Sequence, residues 1–464
     1  MNPSERAVAS LGLHHVLPPY MLEHLAEHGP GDLREAARAD LAVDRRLRAA
    51  RLTRPVARTA TALEAADTTA NRTVSDAENR QQLPGTEVRR EGDEPVADVT
   101  VNEAYDGLGA TFTFWQEVFG RNSIDGAGLP LDATVHYGRN YDNAFWDGSR
   151  MVFGDGDGRV FNRFTVSLDV IGHELAHGVT GSVRDLVYEG QSGALNESMS
   201  DVFGVLVKQY AAEPRPTAPE ADWLIGAGLL AEGVRGVALR SMKDPGTAYD
   251  DPDLGKDPQP ATMADYVEMD DDNGGVHVNS GIPNRAFYLA ATGLGGYAWE
   301  KAGPIWFAAL SDPQLSTTAT FAEFAAITVS QANALFGAEE AAVVLAAWAG
   351  VAVEVTVQLP EDAPVTVVDL THLESGSGGG AGADSEATAV LSPLANTAAK
   401  TASNSGANSG ANSGANSASN SASNSASNTA SNTAPNTAPN SAPNSGAASE
   451  ANSAADPEAN PGPR

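Results

Sequence analysis

The chain has 464 residues and no cysteine, which excludes disulfides, thiolate metal sites and cysteine nucleophiles, so any metal must be held by His, Asp or Glu. A formal net charge of −31 would be repelled by nucleic acid and by anionic membrane surfaces, and excludes a general affinity for either. With 42% hydrophobic residues, the chain can fill cores in two or three domains.

The first residues, MNPSERAVASLGLHHVLPPYMLEHLAEHG, are broken by charge, His and Pro before any apolar run reaches the length of a signal-peptide core. No later stretch is long enough to span a membrane, so the expectation is a soluble protein without a standard export signal. Within residues 1–60, MLEHLAEH and LREAARADLAVDRRLRAARL repeat apolar positions at helical spacing. TRPVARTATALEAADTTANRT, small and polar, reads as a linker.

From 70 to 185 the signals are mixed. VADVTV and ATVHYGRNY look like strands, GDGDG like a turn and GLGATFTFWQEVFG like a helix. From 186 to 354 helical patterns dominate, in NESMSDVFGVLVKQYAA, GIPNRAFYLAATGLGG and AEEAAVVLAAWAGVA. The expected fold class is therefore α+β, with a mixed domain followed by a mainly helical one. VQLPEDAPVTVVDLTHLE is either a short strand or an extension packed on the body. From 375 the chain becomes Ala, Ser, Asn, Gly and Thr with near-repeats of SNSA, SNTA and PNTA, a composition too poor in apolar surface to offset its ordering entropy. That tail is expected to be disordered, and with five acidic and two basic residues after Ser375 it leaves roughly −28 on the body.

The strongest local signal is DVIGHELAHGVTG. His173 and His177 lie one helical turn apart and project toward a common point, with Glu174 facing the same cleft. Neutral imidazoles suit zinc, and a catalytic zinc needs a third protein ligand while one position stays open for water. Glu197, in GALNESMSDVFG, is the candidate, on a helix expected to begin near Asn196. Asp201, one turn later, can accept the remaining N–H of a ligand imidazole.

HELAH followed by NESMSD at this separation resembles the two zinc-ligand helices of the thermolysin family, and LPGTEVRREG, YDNAFWDG, MVFGDGDG, LRSMKDP and DNGGVHVNSGIPN are further matches along the chain in family order. The resemblance covers about Asn71 to Val353 and implies a two-domain zincin that hydrolyses peptide bonds. It implies zinc as the cofactor and Glu174 as the general base that takes a proton from the attacking water. His277 and Tyr188 match donors to the tetrahedral oxyanion, and Asp272 would orient the His277 imidazole. Asn143 and Ala144 match the edge segment that holds an extended peptide, and Arg240 the arginine that holds a substrate carbonyl. Phe161, Phe164, Val170, Ile225 and Leu239 fall at positions lining the family's apolar pocket, which implies cleavage on the amino side of a bulky apolar residue.

PPYML, Pro18 to Leu22, resembles the short propeptide of the protealysin-like branch, which lacks an ordinary signal peptide and occupies its own cleft until removed. Residues 1–60 are thus expected to be an inhibitory propeptide cut between Leu52 and Asn71, or shortly before. The expected product is a monomer acting on proteins or peptides, exported by a non-classical route, with a cytoplasmic precursor as the alternative. The family's paired calcium site is expected to be absent. Asp169 and Asp222 match two of its ligands, but Lys208 stands where a carboxylate belongs, and Leu224 and Ala227 replace two more. The GDGDG turn remains open to calcium. A catalytically silent adhesive protein displaying the Asn/Ser/Ala tail is weighed against by the intact His173, Glu174, His177, Glu197, Tyr188 and His277. An aminopeptidase would need an amine-gripping GAMEN motif, which the sequence lacks.

Overall fold

The structure, a computed structural model, describes residues 14–51 and 69–356, all within one compact unit. Residues 357–374, the tail from 375 and most of the linker lie outside the described residues. No helix among the described residues is long and apolar enough to cross a membrane.

The amino-terminal segment forms β1 (His14–His15), α1 (Pro19–His28) and α2 (Gly31–Arg51). Pro19 opens α1 at a position whose N–H would have no intrahelical partner, so the ring costs nothing there. Met21, Leu22 and Leu25 of α1 and Leu33, Ala37 and Leu41 of α2 are buried in the main core.

Next come β2 (Arg72–Asp76), β3 (Thr86–Arg90), α3 (Val99–Phe119), β4 (Leu131–Val135), β5 (Ala144–Trp146) and β6 (Arg150–Phe153). Six strands form one sheet in the order β1-β5-β6-β4-β2-β3. β4 runs parallel to β2 and β6, and the other pairings are antiparallel. Hence β1 forms an edge of the sheet, with His14 opposite Trp146 and His15 opposite Phe145.

Two expected strands are corrected here. VADVTV is not a strand: Asp98 Oδ1 accepts the N–H groups of Thr100 and Val101, so this carboxylate caps α3 and Val99 onward is helical. In ATVHYGRNY only the first three residues lie in β4, because His136 takes a φ of 53° and ends the strand. The linker also ends sooner than its composition suggests, since β2 begins at Arg72.

α4 (Leu168–Val183) and α5 (Gly190–Ala211) form the centre of the molecule. They approach closely at glycines: a Cβ on Gly204 would lie 2.4 Å from the Asp169 carbonyl oxygen and 3.0 Å from the His173 nitrogen. α5 starts six residues before the expected Asn196, because Gly190 to Gly193 reads as a turn in sequence but is wound into the first turn of the helix. The short strands β7 (Leu224–Ile225) and β8 (Arg240–Ser241) pair beside it. The remaining helices are α6 (Asp272–Asn279), α7 (Gly281–Leu294), α8 (Ala302–Ser311), α9 (Phe321–Leu335) and α10 (Ala338–Gly350). They pack around Trp306 and Trp348, whose rings stack at 6.0 Å.

Candidate metal centre and active site

α4 carries His173 and His177 one turn apart, and α5 lays Glu197 across them. Their ligand atoms lie within 4.8 Å of one another, and all three residues are buried. The two Nε2 atoms are 3.1 Å apart, and Glu197 carboxylate oxygens stand 3.6 Å from His173 Nε2 and 3.5 Å from His177 Nε2. The opposite ring nitrogens are held from α5. His173 Nδ1 is 2.8 Å from Asp201 Oδ1, and His177 Nδ1 is 2.9 Å from both Asn196 Oδ1 and Ser200 Oγ. Two buried imidazoles and one carboxylate, with the outer nitrogens fixed so that both Nε2 lone pairs converge, fit zinc. Zinc bound there supplies Lewis acidity toward a peptide carbonyl and a water.

Glu174 is fully buried beside this centre. Its Oε2 accepts the backbone N–H of Trp146 at 3.0 Å, which sets the carboxylate against strand β5. From the other side, the kink at Asn273–Gly275, with three residues at positive φ, brings the start of α6 round so that Asp272 reaches His277. Asp272 Oδ1 lies 2.6 Å from His277 Nδ1, and Asp272 Oδ2 accepts the His277 backbone N–H at 2.9 Å. Burial alone would lower the His277 imidazole pKa, but Asp272 and Glu197 reverse that and hold it above the usual histidine value. Tyr188 donates its hydroxyl to Glu197 Oε1 and stands 3.3 Å from His277 Nε2.

Arg240 reaches the same centre through Asp201. Its Nε and one terminal nitrogen donate to the two Asp201 oxygens at 2.9 and 2.8 Å, and Asn284 Nδ2 adds a third donor at 2.8 Å. Burial opposes ionisation of Asp201, yet Arg240 and His173 hold its carboxyl well below the usual range. The remaining terminal nitrogen of Arg240 donates to the Val16 carbonyl at 3.1 Å. Val16 N–H donates to the Ala144 carbonyl at 3.2 Å, and Leu17 N–H to Asn143 Oδ1 at 3.1 Å. The groups read as holders of an extended peptide are thus engaged by the chain's own amino-terminal segment.

Phe161, Phe164, Val170, Ile225 and Leu239 are all buried in the main core, with the rings of Phe161 and Phe164 6.0 Å apart and Leu239 N–H donating to the Ile225 carbonyl. At the position of the family's calcium pair, Lys208 Nζ lies 2.8 Å from Asp169 Oδ2, 2.9 Å from Asp222 Oδ1 and 2.6 Å from the Leu224 carbonyl oxygen. Burial would lower the lysine pKa, but the two carboxylates outweigh it and raise it.

The sequence reading missed Asn196 and Ser200 as partners of His177, although both lie within NESMSD, one helical turn apart on α5. It also missed Asn284, which closes the DNGGVHVNSGIPN block but carries no sign there of its contact with Asp201.

Residues 52–181 match the thermolysin metallopeptidase catalytic domain and residues 184–353 its α-helical domain. An extracellular metalloprotease of Pectobacterium carotovorum is 52% identical over 340 residues, covering 73% of this chain and 96% of the relative. A thermolysin of Alicyclobacillus acidocaldarius is 41% identical over 272 residues, which is 56% of this chain and 47% of that protein. The solved precursor of protealysin, a metalloproteinase from Serratia proteamaculans, superimposes with a TM-score of 0.67 at 54% identity, covering 74% of this chain and all of the precursor. With its mixed-sheet half, helical half and His173–His177–Glu197 centre, the chain belongs to the thermolysin family of metallopeptidases, in its protealysin-like branch.

Proposed function

We propose that this chain is the precursor of a zinc-dependent endopeptidase, in which His173, His177 and Glu197 hold the metal and Glu174 is the general base. The observation that carries this is the convergence of three buried ligand groups, His173, His177 and Glu197, from two helices, with the buried Glu174 next to His173 on α4 and its carboxylate fixed by the backbone of β5. A carboxylate beside the metal but not ligating it can take the proton of an attacking water and later deliver it to the leaving amine. Tyr188 and His277 stand where two donors would meet an oxyanion developing near Glu197, and Asp272 orients the imidazole and favours its protonated form. The apolar set Phe161, Phe164, Val170, Ile225 and Leu239 supports cleavage on the amino side of a bulky apolar residue.

Residues 1–60 act as an inhibitory propeptide in this reading, followed by catalytic domains at 70–185 and 186–354. Support comes from β1 pairing with β5 and from Val16 and Leu17 occupying Arg240, Ala144 and Asn143, contacts that a substrate backbone would need. Removal by a cut between Leu52 and Asn71 would free them. The extracellular description of the relatives supports export of the active form. Lys208 between Asp169 and Asp222 supports the absence of the paired calcium site, an ammonium taking the place of a dication.

The test is to incubate the purified chain with and without zinc and map cleavage sites in casein, and in the chain itself, by mass spectrometry. Zinc-dependent cuts before Leu, Ile, Phe or Val, together with loss of the first sixty residues, are expected. Absence of casein cleavage by zinc-loaded, processed protein would refute the reading.

A further inference from the structure

The amino-terminal segment meets the catalytic body through carboxylates. Asp40 and Asp44 lie one turn apart on α2 and are 6% and 3% exposed. Asp44 accepts the Tyr141 hydroxyl at 2.7 Å and Asn143 Nδ2 at 3.2 Å, and faces His15 at 3.6 Å. Asp40 is placed differently. Its Oδ2 accepts the Asp142 backbone N–H at 3.1 Å, and the charges acting on it are those of Asp44 and Asp157.

Asp142 is fully buried. Its Oδ1 accepts the Asp157 backbone N–H at 2.8 Å, whereas its Oδ2 is buried without a hydrogen-bond partner. Asp157 Oδ1 accepts the N–H groups of Arg159, Val160 and Phe161, and its Oδ2 is likewise buried without one. The charges acting on Asp40 and Asp142 are all carboxylates, and Arg159 is engaged by Asp32 of the same segment. Ionised carboxylate oxygens shut away from water and from any cation are costly, and protonating one of these carboxyls removes its share of the cost.

We propose that Asp40 binds a proton at the seam between α2 and the GDGDG turn, where it faces Asp142 and Asp157, so that the amino-terminal segment docks with uptake of a proton. The proposal rests on the reading of that segment as an inhibitory one that must eventually leave. Among the described residues only His173, His177 and Glu197 bring three candidate metal-ligand atoms within 4.8 Å of one another, so the seam carboxylates do not close around one ion and the proton sits on a single carboxyl.

Burial, opposed by the Asp142 N–H and reinforced by Asp44 and Asp157, raises the Asp40 carboxyl to about 7. Burial, then Asp157 and Asp40, raises Asp142 well above the carboxylate range. The docked site therefore keeps a proton that the undocked carboxyls lose. Through Asp40, docking is strongest below about pH 4, weakens about tenfold per pH unit above that, and levels off above about pH 7. As the segment loosens, Asp44 releases Asn143 and Val16 releases Arg240, so the same ionisation that frees the seam opens the peptide-binding edge.

The test uses the uncut, zinc-loaded full-length chain carrying Glu174→Gln to prevent self-cleavage. Hydrogen exchange of residues 19–44 is followed from pH 5 to pH 8 and corrected for the intrinsic exchange rate. Opening of the segment should increase about tenfold per unit up to about pH 7 and then level off. Asp40→Asn should flatten that profile, because the amide cannot ionise, and Asp40→Ala should do the same if Asp40→Asn fails to fold. A flat profile in the parent chain, or a slope that survives both substitutions, overturns the proposal. So does restored protection on adding calcium at pH 8, which would mark a cation site instead. Full peptidase activity in the uncut wild-type chain would remove the inhibitory reading while leaving the exchange result standing.

Discussion

Arg240 clamps Asp201 with two nitrogens, at 2.9 and 2.8 Å, while its third donates to a peptide carbonyl of Val16. One guanidinium thus links the carboxylate that orients His173 to the backbone of whatever lies along β5. A lysine offers a point charge in place of this fork. Arg240→Lys should keep its zinc but lose about 10- to 100-fold in kcat/KM, largely through KM, because the contact serves substrate and transition state alike. Unchanged steady-state kinetics on a short peptide would show that the arginine holds no substrate carbonyl.

Gly204 sets the distance between α4 and α5. A methyl there meets the Asp169 carbonyl oxygen and the His173 backbone, both rigid, so the helices must separate. Gly204→Ala should cost about 1–3 kcal/mol of stability and weaken zinc binding, read as a lower Tm and easier removal by a chelator. A variant with wild-type Tm and zinc retention would show that the two helices can shift at no cost.

Lys208 is predicted to do the work of a dication. A calcium-selective chelator should leave Tm nearly unchanged, whereas Lys208→Met should destabilise by about 3–5 kcal/mol, since Asp169 is fully buried and would lose its counter-charge. Lys208→Glu should help create a calcium site. Two calcium ions found between Asp169 and Asp222 in calcium-soaked crystals of the unmodified protein would refute this account.

His136 bridges Asp98, which caps α3, and Asp155 of the GDGDG turn, each at 2.9 Å. The hydrogen bond that His136 donates to Asp155, opposed by burial and reinforced by the charges of both carboxylates, raises the imidazole to about 9. A raised histidine contributes stability that is fully present below its ordinary value near 6.5 and is lost as the pH rises through about 9. His136→Ala should therefore lower stability by about 1 kcal/mol at pH 6, after allowance for solvent screening of the partly exposed carboxylates, with the difference fading above pH 9. Equal Tm differences at pH 6 and pH 10 would show that the imidazole acts by packing alone.

Local chemistry made some features legible in sequence. The i, i+4 spacing of His173 and His177 fixes their common face on any helix, and the Asn-Glu-x-x-x-Asp run places Glu197 and Asp201 one turn apart on the next. What escaped depends on long-range placement. VADVTV has the β-branched alternation of a strand, but one Asp98 carboxylate capping two N–H groups outweighs that preference. PPYML marks the amino-terminal segment in sequence, yet nothing there shows that His14 and His15 add a strand to β5 or that Asp40 faces Asp142. Both depend on register between residues some 100 positions or more apart in the chain.

The central claim is that Glu174 moves the proton while His173, His177 and Glu197 hold the metal. It is tested by measuring zinc content and casein hydrolysis together on Glu174→Gln protein from which the amino-terminal segment has been removed by a second protease. The account predicts about one zinc per chain, as in the wild type, with activity reduced by several orders of magnitude. Retention of wild-type turnover by that zinc-loaded variant would contradict it.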